Sequence, residues 1–172
     1  MNLFNPNSQV FPKKSNLLIL MVFAIVFTGV FRTHSQENEI QWLTFEQLED
    51  SLAARPKKVF IDFYADWCAY CKKMDKVAFK DAKVISQLNT EYYAVKMDAE
   101  ARDSITFGGK TFINEQLGKS RNPTHQIPLL LASRENRSFS LPAMVLLNEK
   151  FEVTDRYFEY LSPKKLANIL EE

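Results

Sequence analysis

Along residues 44–172 the apolar positions switch repeatedly between a helical and a strand period. Phe45, Leu48 and Leu52 recur at helical spacing behind Thr44, and Gln47 completes a capping-box pattern with that threonine. This predicts a helix from Phe45 to about Arg55, stopped by Pro56. Lys58–Tyr64 reads Lys-Val-Phe-Ile-Asp-Phe-Tyr, an apolar run around one acid, as expected of a strand buried on both faces. A second helix is expected from near Cys68 past Met74. A third follows Asp81 as N-cap, with Val84, Ile85 and Leu88 turned inward. Tyr92 to Met97 is a second central strand. Strand, helix, strand in this order makes a parallel pair joined by a helical crossover.

Ser104–Phe107 and Lys110–Ile113 flank Gly108-Gly109, a pair suited to a two-residue hairpin turn with positive φ at both centres. Residues 114–127 are polar and loop-like, and Pro128 to Ser133 is expected to form one or two helical turns. Ala143–Leu147 and Glu152–Phe158 read as an antiparallel hairpin turning at Asn148-Glu149-Lys150. Ser162-Pro163 opens a final helix that runs to the end, with serine as N-cap and proline at the first position. The sum is a mixed sheet with helices on both faces. No internal repeat interrupts it.

The first 35 residues follow a different pattern. Lys13 and Lys14 precede an apolar run from Leu17 to Phe31, interrupted only by Thr28 and Gly29. A positive segment followed by a short apolar stretch describes a secretory signal, and Thr33 and Ser35 supply small residues for a cut before Gln36. The competing reading is a retained membrane anchor, although the run is shorter than the 18 or so residues of a spanning helix. No cysteine lies near the boundary, which excludes a lipid-modified cysteine anchor. Either reading delivers residues 36–172 across a membrane, to a periplasmic or otherwise extracytoplasmic location.

The leader also masks the charge. The chain has 22 basic and 21 acidic residues, but Lys13, Lys14 and Arg32 belong to the leader, leaving 19 against 21 and a net of −2. That balance does not suit a nucleic-acid partner. Four glycines, at positions 29, 108, 109 and 118, form no phosphate-binding loop pattern. His34 leaves with the leader, so His125 is the sole histidine beyond it. It has no companion for a metal cluster or a triad, and reads as a surface or capping residue.

Both cysteines fall in Trp67-Cys68-Ala69-Tyr70-Cys71, between a buried strand and a helix start. A helix N-terminus offers free N–H groups and positive potential, which stabilise a thiolate, most of all at Cys68. Cys71, one turn on, is placed to attack a mixed disulfide formed at Cys68. Two other readings stay open. A structural staple closing so short a loop yields only about 2 kcal/mol. A soft-metal site needs further ligands, and none is near in sequence. The C-x-x-C beside a strand–helix–strand unit favours the redox pair.

The stretch Val59-Phe60-Ile61-Asp62-Phe63-Tyr64-Ala65-Asp66-Trp67-Cys68-Ala69-Tyr70-Cys71-Lys72 resembles the active-site segment of the thioredoxin superfamily. Tyr64–Cys68 and Lys73–Phe79 are closer to one branch, the thioredoxin-like domains of secreted bacterial proteins such as the C-terminal domain of DsbD. The resemblance covers residues 40–98 and 139–172, and an insert at about 99–139 departs from it. It implies a thioredoxin fold, with the inserted hairpin ahead of a cis-proline strand, and thiol-disulfide exchange with protein substrates. Under it Cys68 is the nucleophile and Cys71 resolves. Asp62 becomes the buried acid that accepts the Cys71 proton, its own pKa raised by burial. Leu141-Pro142 matches the cis-proline position, where the Leu141 backbone would pair with a substrate strand. Trp67, Ala69 and Tyr70 complete the docking surface; Trp67 as a plain core aromatic is the alternative.

The Ala69-Tyr70 dipeptide departs from the Gly-Pro of ordinary thioredoxins and also resembles glutaredoxins. Asp62 and Asp66 both disfavour a nearby thiolate, which predicts a reductase-like rather than a strongly oxidising pair. No cofactor is implied, since the dithiol itself stores two electrons. With no third thiol in the chain, a second redox protein must donate or accept them. A redox-inert peptide-binding module is the rival class, and a cysteine-based metallochaperone the third. The insert reads as a recognition element near Pro142 or as an edge decoration of the sheet.

Overall fold

The computed structural model describes residues 38–171; the leader expected over residues 1–35 lies outside them. The elements are β1 (Trp42–Leu43), α1 (Phe45–Ala54), β2 (Lys58–Tyr64), α2 (Ala69–Lys76), a 3-10 turn at Ala78–Lys80, α3 (Ala82–Glu91) and β3 (Tyr92–Asp98). There follow β4 (Ile105–Phe107), β5 (Lys110–Phe112), α4 (Gln126–Leu131), β6 (Ala143–Leu147), β7 (Val153–Tyr157) and α5 (Pro163–Ile169).

The main sheet runs β1-β3-β2-β6-β7. β1, β3 and β2 are parallel, while β6 is antiparallel to both β2 and β7. β2 is therefore flanked on both edges and covered on both faces, which accounts for its unbroken apolar run. Alternation then sorts the core. Phe60, Ala94, Met144 and Leu146 face Met74, Phe79, Leu88 and Leu166. Val59, Ile61, Phe63, Val95 and Val145 face Phe45, Leu48 and Ile127. Fully burying each such Leu, Ile or Phe contributes about 1.5–3 kcal/mol.

Local signals carried the helix starts. Thr44 and Gln47 form the reciprocal capping box. The Asp81 carboxylate accepts from the N–H groups of Lys83 and Val84, and the Ser162 hydroxyl accepts from that of Lys165. Three features differ from the expectations. β1 is a two-residue strand, too short to show a period. α4 begins at Gln126 inside the segment read as loop, because the His125 imidazole caps it by accepting from the Ile127 N–H at 3.2 Å. His125 is accordingly fully buried, a cap but not a surface residue.

The insert is packed. Gly108 and Gly109, at φ 61° and 69°, turn the β4–β5 hairpin. Phe107 from that hairpin meets Phe45 edge-on at 5.5 Å and Phe151 at 5.1 Å. Beyond it, the buried Asn114 amide donates to the carbonyls of Ala101 and Pro123, closing the 114–123 loop back onto the exit of β3.

Candidate active site

Three strand ends converge at one end of the sheet. Tyr64 ends β2 and is in register with Asp98, which ends β3. Phe63 pairs with Ala143, the first residue of β6, so Pro142 lies at that same end. The Leu141–Pro142 peptide bond is cis. Past Tyr64 the chain turns through Ala65, Asp66 and Trp67 into α2. The Cys68 N–H donates to the Ala65 carbonyl at 3.0 Å, which fixes the turn.

Cys68 is the N-cap of α2, and its sulfur accepts from the Cys71 N–H at 3.2 Å. The two cysteines form a disulfide with Cα atoms 5.3 Å apart. Both are nearly covered, at 3% and 2% exposure. Their neighbours are not: Trp67 is 57% and Tyr70 59% exposed. That excludes the core-aromatic alternative for Trp67. Ala69 and Tyr70 form the first turn of α2 between the cysteines. Tyr70 leans on the Tyr160 ring at 6.4 Å, and the Lys73 ammonium lies 4.3 Å from the same ring's centre.

Asp62 sits in β2 with 1% exposure. It shares the strand face of Phe60, which packs in the same cluster as Met74 of α2, so the carboxyl lies on the side of the sheet that the cysteine helix covers. Among the described residues its Oδ1 has no hydrogen-bond partner, and Oδ2 is 3.7 Å from the Lys96 ammonium. Lys96 occupies the matching register position of β3 and also pairs with Asp75 of α2. The rings of Trp42, Tyr64 and Phe79 surround it at 5.0–5.6 Å. Burial raises the Asp62 pKa to about 7; Lys96 opposes the rise and Asp75 adds to it.

Two polar partners were missed in the sequence. Lys96 is one charge inside an apolar strand, a signal that becomes readable only once β2 and β3 are set in parallel register. Glu100 accepts from the Trp67 indole N–H at 2.8 Å and from the Asn122 amide at 3.0 Å, linking Trp67 to the insert. No local pattern marks that contact. Ahead of the cis bond, Arg134 donates to the Ser138 carbonyl and the Ser140 hydroxyl and stacks on Phe158, bracing the segment that enters Leu141.

A mixed five-stranded sheet with a cysteine pair opening the helix after its central strand, and a cis-proline at the same end, defines a thioredoxin-fold dithiol domain. The family model described as a thioredoxin-like domain matches residues 45–172, and the chain belongs to that family. Among curated proteins it is similar to thiol:disulfide interchange protein DsbD of Campylobacter jejuni (strain RM1221), at 26% identity over 109 residues, 54% of this chain and 19% of that protein. It is 42% identical over 65 residues to DsbD of Yersinia enterocolitica, covering 34% of this chain and 11% of the relative. The chain thus spans a fifth or less of the length of these relatives. Among solved structures, the DsbH oxidoreductase superposes with a TM-score of 0.53 at 15% identity, covering 77% of this chain and 83% of that one. A thioredoxin from Thermus thermophilus superposes at 0.52 and 17%, covering 77% and 85%. At such identities these structures establish the fold.

Proposed function

We propose that the domain is an extracytoplasmic thiol-disulfide oxidoreductase acting on protein disulfides in the reducing direction. The observation that carries this reading is the cysteine pair at the N-terminus of α2 beside a buried acid with a pKa near neutrality. In the reduced form, the Cys68 thiolate attacks one sulfur of the partner disulfide. A Cys68–partner disulfide forms and the partner's other sulfur leaves as a thiolate. Cys71 then passes its proton to Asp62 and attacks the Cys68 sulfur. The Cys68–Cys71 disulfide forms, the second partner thiolate leaves, and two electrons have moved to the partner.

The remaining groups orient this exchange. Burial of both sulfurs means that a partner must seat against Trp67, Ala69 and Tyr70 to reach Cys68. The Leu141 backbone, entering the sheet through cis-Pro142, offers an edge on which a substrate strand pairs. Resetting the dithiol requires a second redox protein. The export half of the proposal rests on Lys13, Lys14 and the apolar run behind them.

Insulin reduction tests the reading. The wild-type domain, resupplied with electrons by a small dithiol, is expected to precipitate insulin well above the dithiol alone, and Cys68→Ser is expected to abolish the difference. Cysteine-independent behaviour would assign the domain to the peptide-binding class.

A further inference from the structure

Between α4 and β6 the chain approaches the dithiol end as an irregular segment, residues 132–142. Leu141 lies outside every strand, and among the described residues its N–H and C=O take no hydrogen-bond partner. The backbone next to cis-Pro142 is therefore not held by the sheet ladder. Phe139 and Leu141 rest on the same core cluster as Ile61 and Val145, and Arg134 clamps the chain around them. Its Nη2 donates to the Ser138 carbonyl at 3.1 Å and to the Ser140 hydroxyl at 2.7 Å. Its guanidinium also lies 3.7 Å from the centre of the Phe158 ring. Phe158 leads, two residues on, to Tyr160, whose ring supports Tyr70. One side chain thus joins the approach to Leu141 to the segment behind Tyr70. The Arg134 Nε is enclosed and finds no acceptor among the described residues. Such a donor is costly, which offsets the two bonds as a source of stability and leaves them as a means of fixing the path of the chain.

We infer that Arg134 is a positioning residue for the partner: it sets the free Leu141 backbone where an extended segment of the partner pairs while its cysteine meets Cys68. The inference rests on the thiol-disulfide reading above and deepens it, since what is recognised is then extended main chain flanking the partner's cysteine. Main-chain pairing of this kind supplies affinity without regard to side-chain identity. It depends on the planar fork of a guanidinium, which bridges Ser138 and Ser140 while lying flat on Phe158; an ammonium at the same place cannot do both. A small disulfide, with no main chain to pair, gains nothing from Arg134.

Three probes test it, each a mixed disulfide with 5-thio-2-nitrobenzoate: a cysteine peptide, the same peptide N-methylated at the residue on each side of the cysteine, and 2-hydroxyethanethiol. The reduced protein releases the chromophore from each, and every kcat/KM is divided by the probe's rate with glutathione. N-methylation removes the donors that pair with an edge, so the wild type is expected to prefer the parent peptide by about fivefold or more. Arg134→Met is expected to bring that ratio to within about twofold of one and to leave the 2-hydroxyethanethiol probe unchanged. Arg134→Lys, which keeps the charge, is expected to behave as Arg134→Met does. Ser140→Ala, a milder change that keeps the arginine, is expected to lower the ratio by about twofold or more. Thr111→Ala, on the β4–β5 hairpin, serves as the control and is expected to keep the wild-type ratio. Equal turnover of both peptides by the wild type, or a preference that survives Arg134→Met, would overturn the inference. So would a full preference in Arg134→Lys, or an equal loss on all three probes, since either assigns Arg134 a different role. Turnover of no probe by the wild type would sink the thiol-disulfide reading itself, an outcome distinct from lost preference.

Discussion

Burial holds the Asp62 carboxyl near pH 7 because its ionised form has left water with the Lys96 ammonium, 3.7 Å away, in partial compensation. The folded state therefore keeps a proton that the unfolded chain releases near 3.8. Stability from this group is fully present below about pH 3.8, falls as pH rises towards 7, and stays low above it. Asp62→Asn is expected to raise the urea midpoint at pH 8, by an amount equivalent to roughly 2–4 kcal/mol. That gain should vanish below pH 4. The same variant is expected to slow resolution by Cys71 by about 10²-fold and to remove an apparent pKa near 7 from its pH profile, measured by single-turnover kinetics. Lys96→Met removes the opposing charge but leaves the acid in place. It is expected to move that apparent pKa upward; an unmoved profile would show that Lys96 does not act on Asp62.

At the scale of elements, α4 adds a second and opposite pH dependence. Burial lowers the pKa of its N-cap, His125, below the ordinary 6.5. As pH falls through 6.5 the unfolded chain gains a proton that the folded state resists, so this group's contribution to stability is lost on the acid side. His125→Asn keeps a good N-cap and removes the titration. Plotted from pH 7 to 5, its urea midpoint is expected to fall less than that of the wild type. How far such elements were legible depended on the range of the signal. The capping box at Thr44, the caps at Asp81 and Ser162, the apolar run of β2 and the Gly108-Gly109 turn are local patterns, and each lay where expected. α4 has six residues and an unusual cap, too short for a period to show its start. Lys96 opposite Asp62, Glu100 under Trp67 and Tyr160 beneath Tyr70 are tertiary meetings between distant segments. The cysteines and the acid could be picked out one by one, but the side chains that hold them could not.

For the whole molecule, the fold brings the dithiol, Asp62 and cis-Pro142 to one end of a single sheet and attaches an insert beside them through Glu100. Acids at positions 62, 66 and 75 around the cysteine helix disfavour an added thiolate and so stabilise the reduced pair less than in strong oxidants. Equilibration with glutathione is accordingly expected to give a potential below about −200 mV, against about −120 mV for strong oxidants of this fold. A value near the latter would reverse the proposed direction. The central claim, that Cys68 attacks and Cys71 resolves, is tested most directly by trapping. Cys71→Ala, incubated with a disulfide-bonded peptide and mapped by mass spectrometry, is expected to accumulate a mixed disulfide on Cys68, with no such adduct on Cys71 in Cys68→Ala. Equal adducts in both variants, or none in either, would contradict the account.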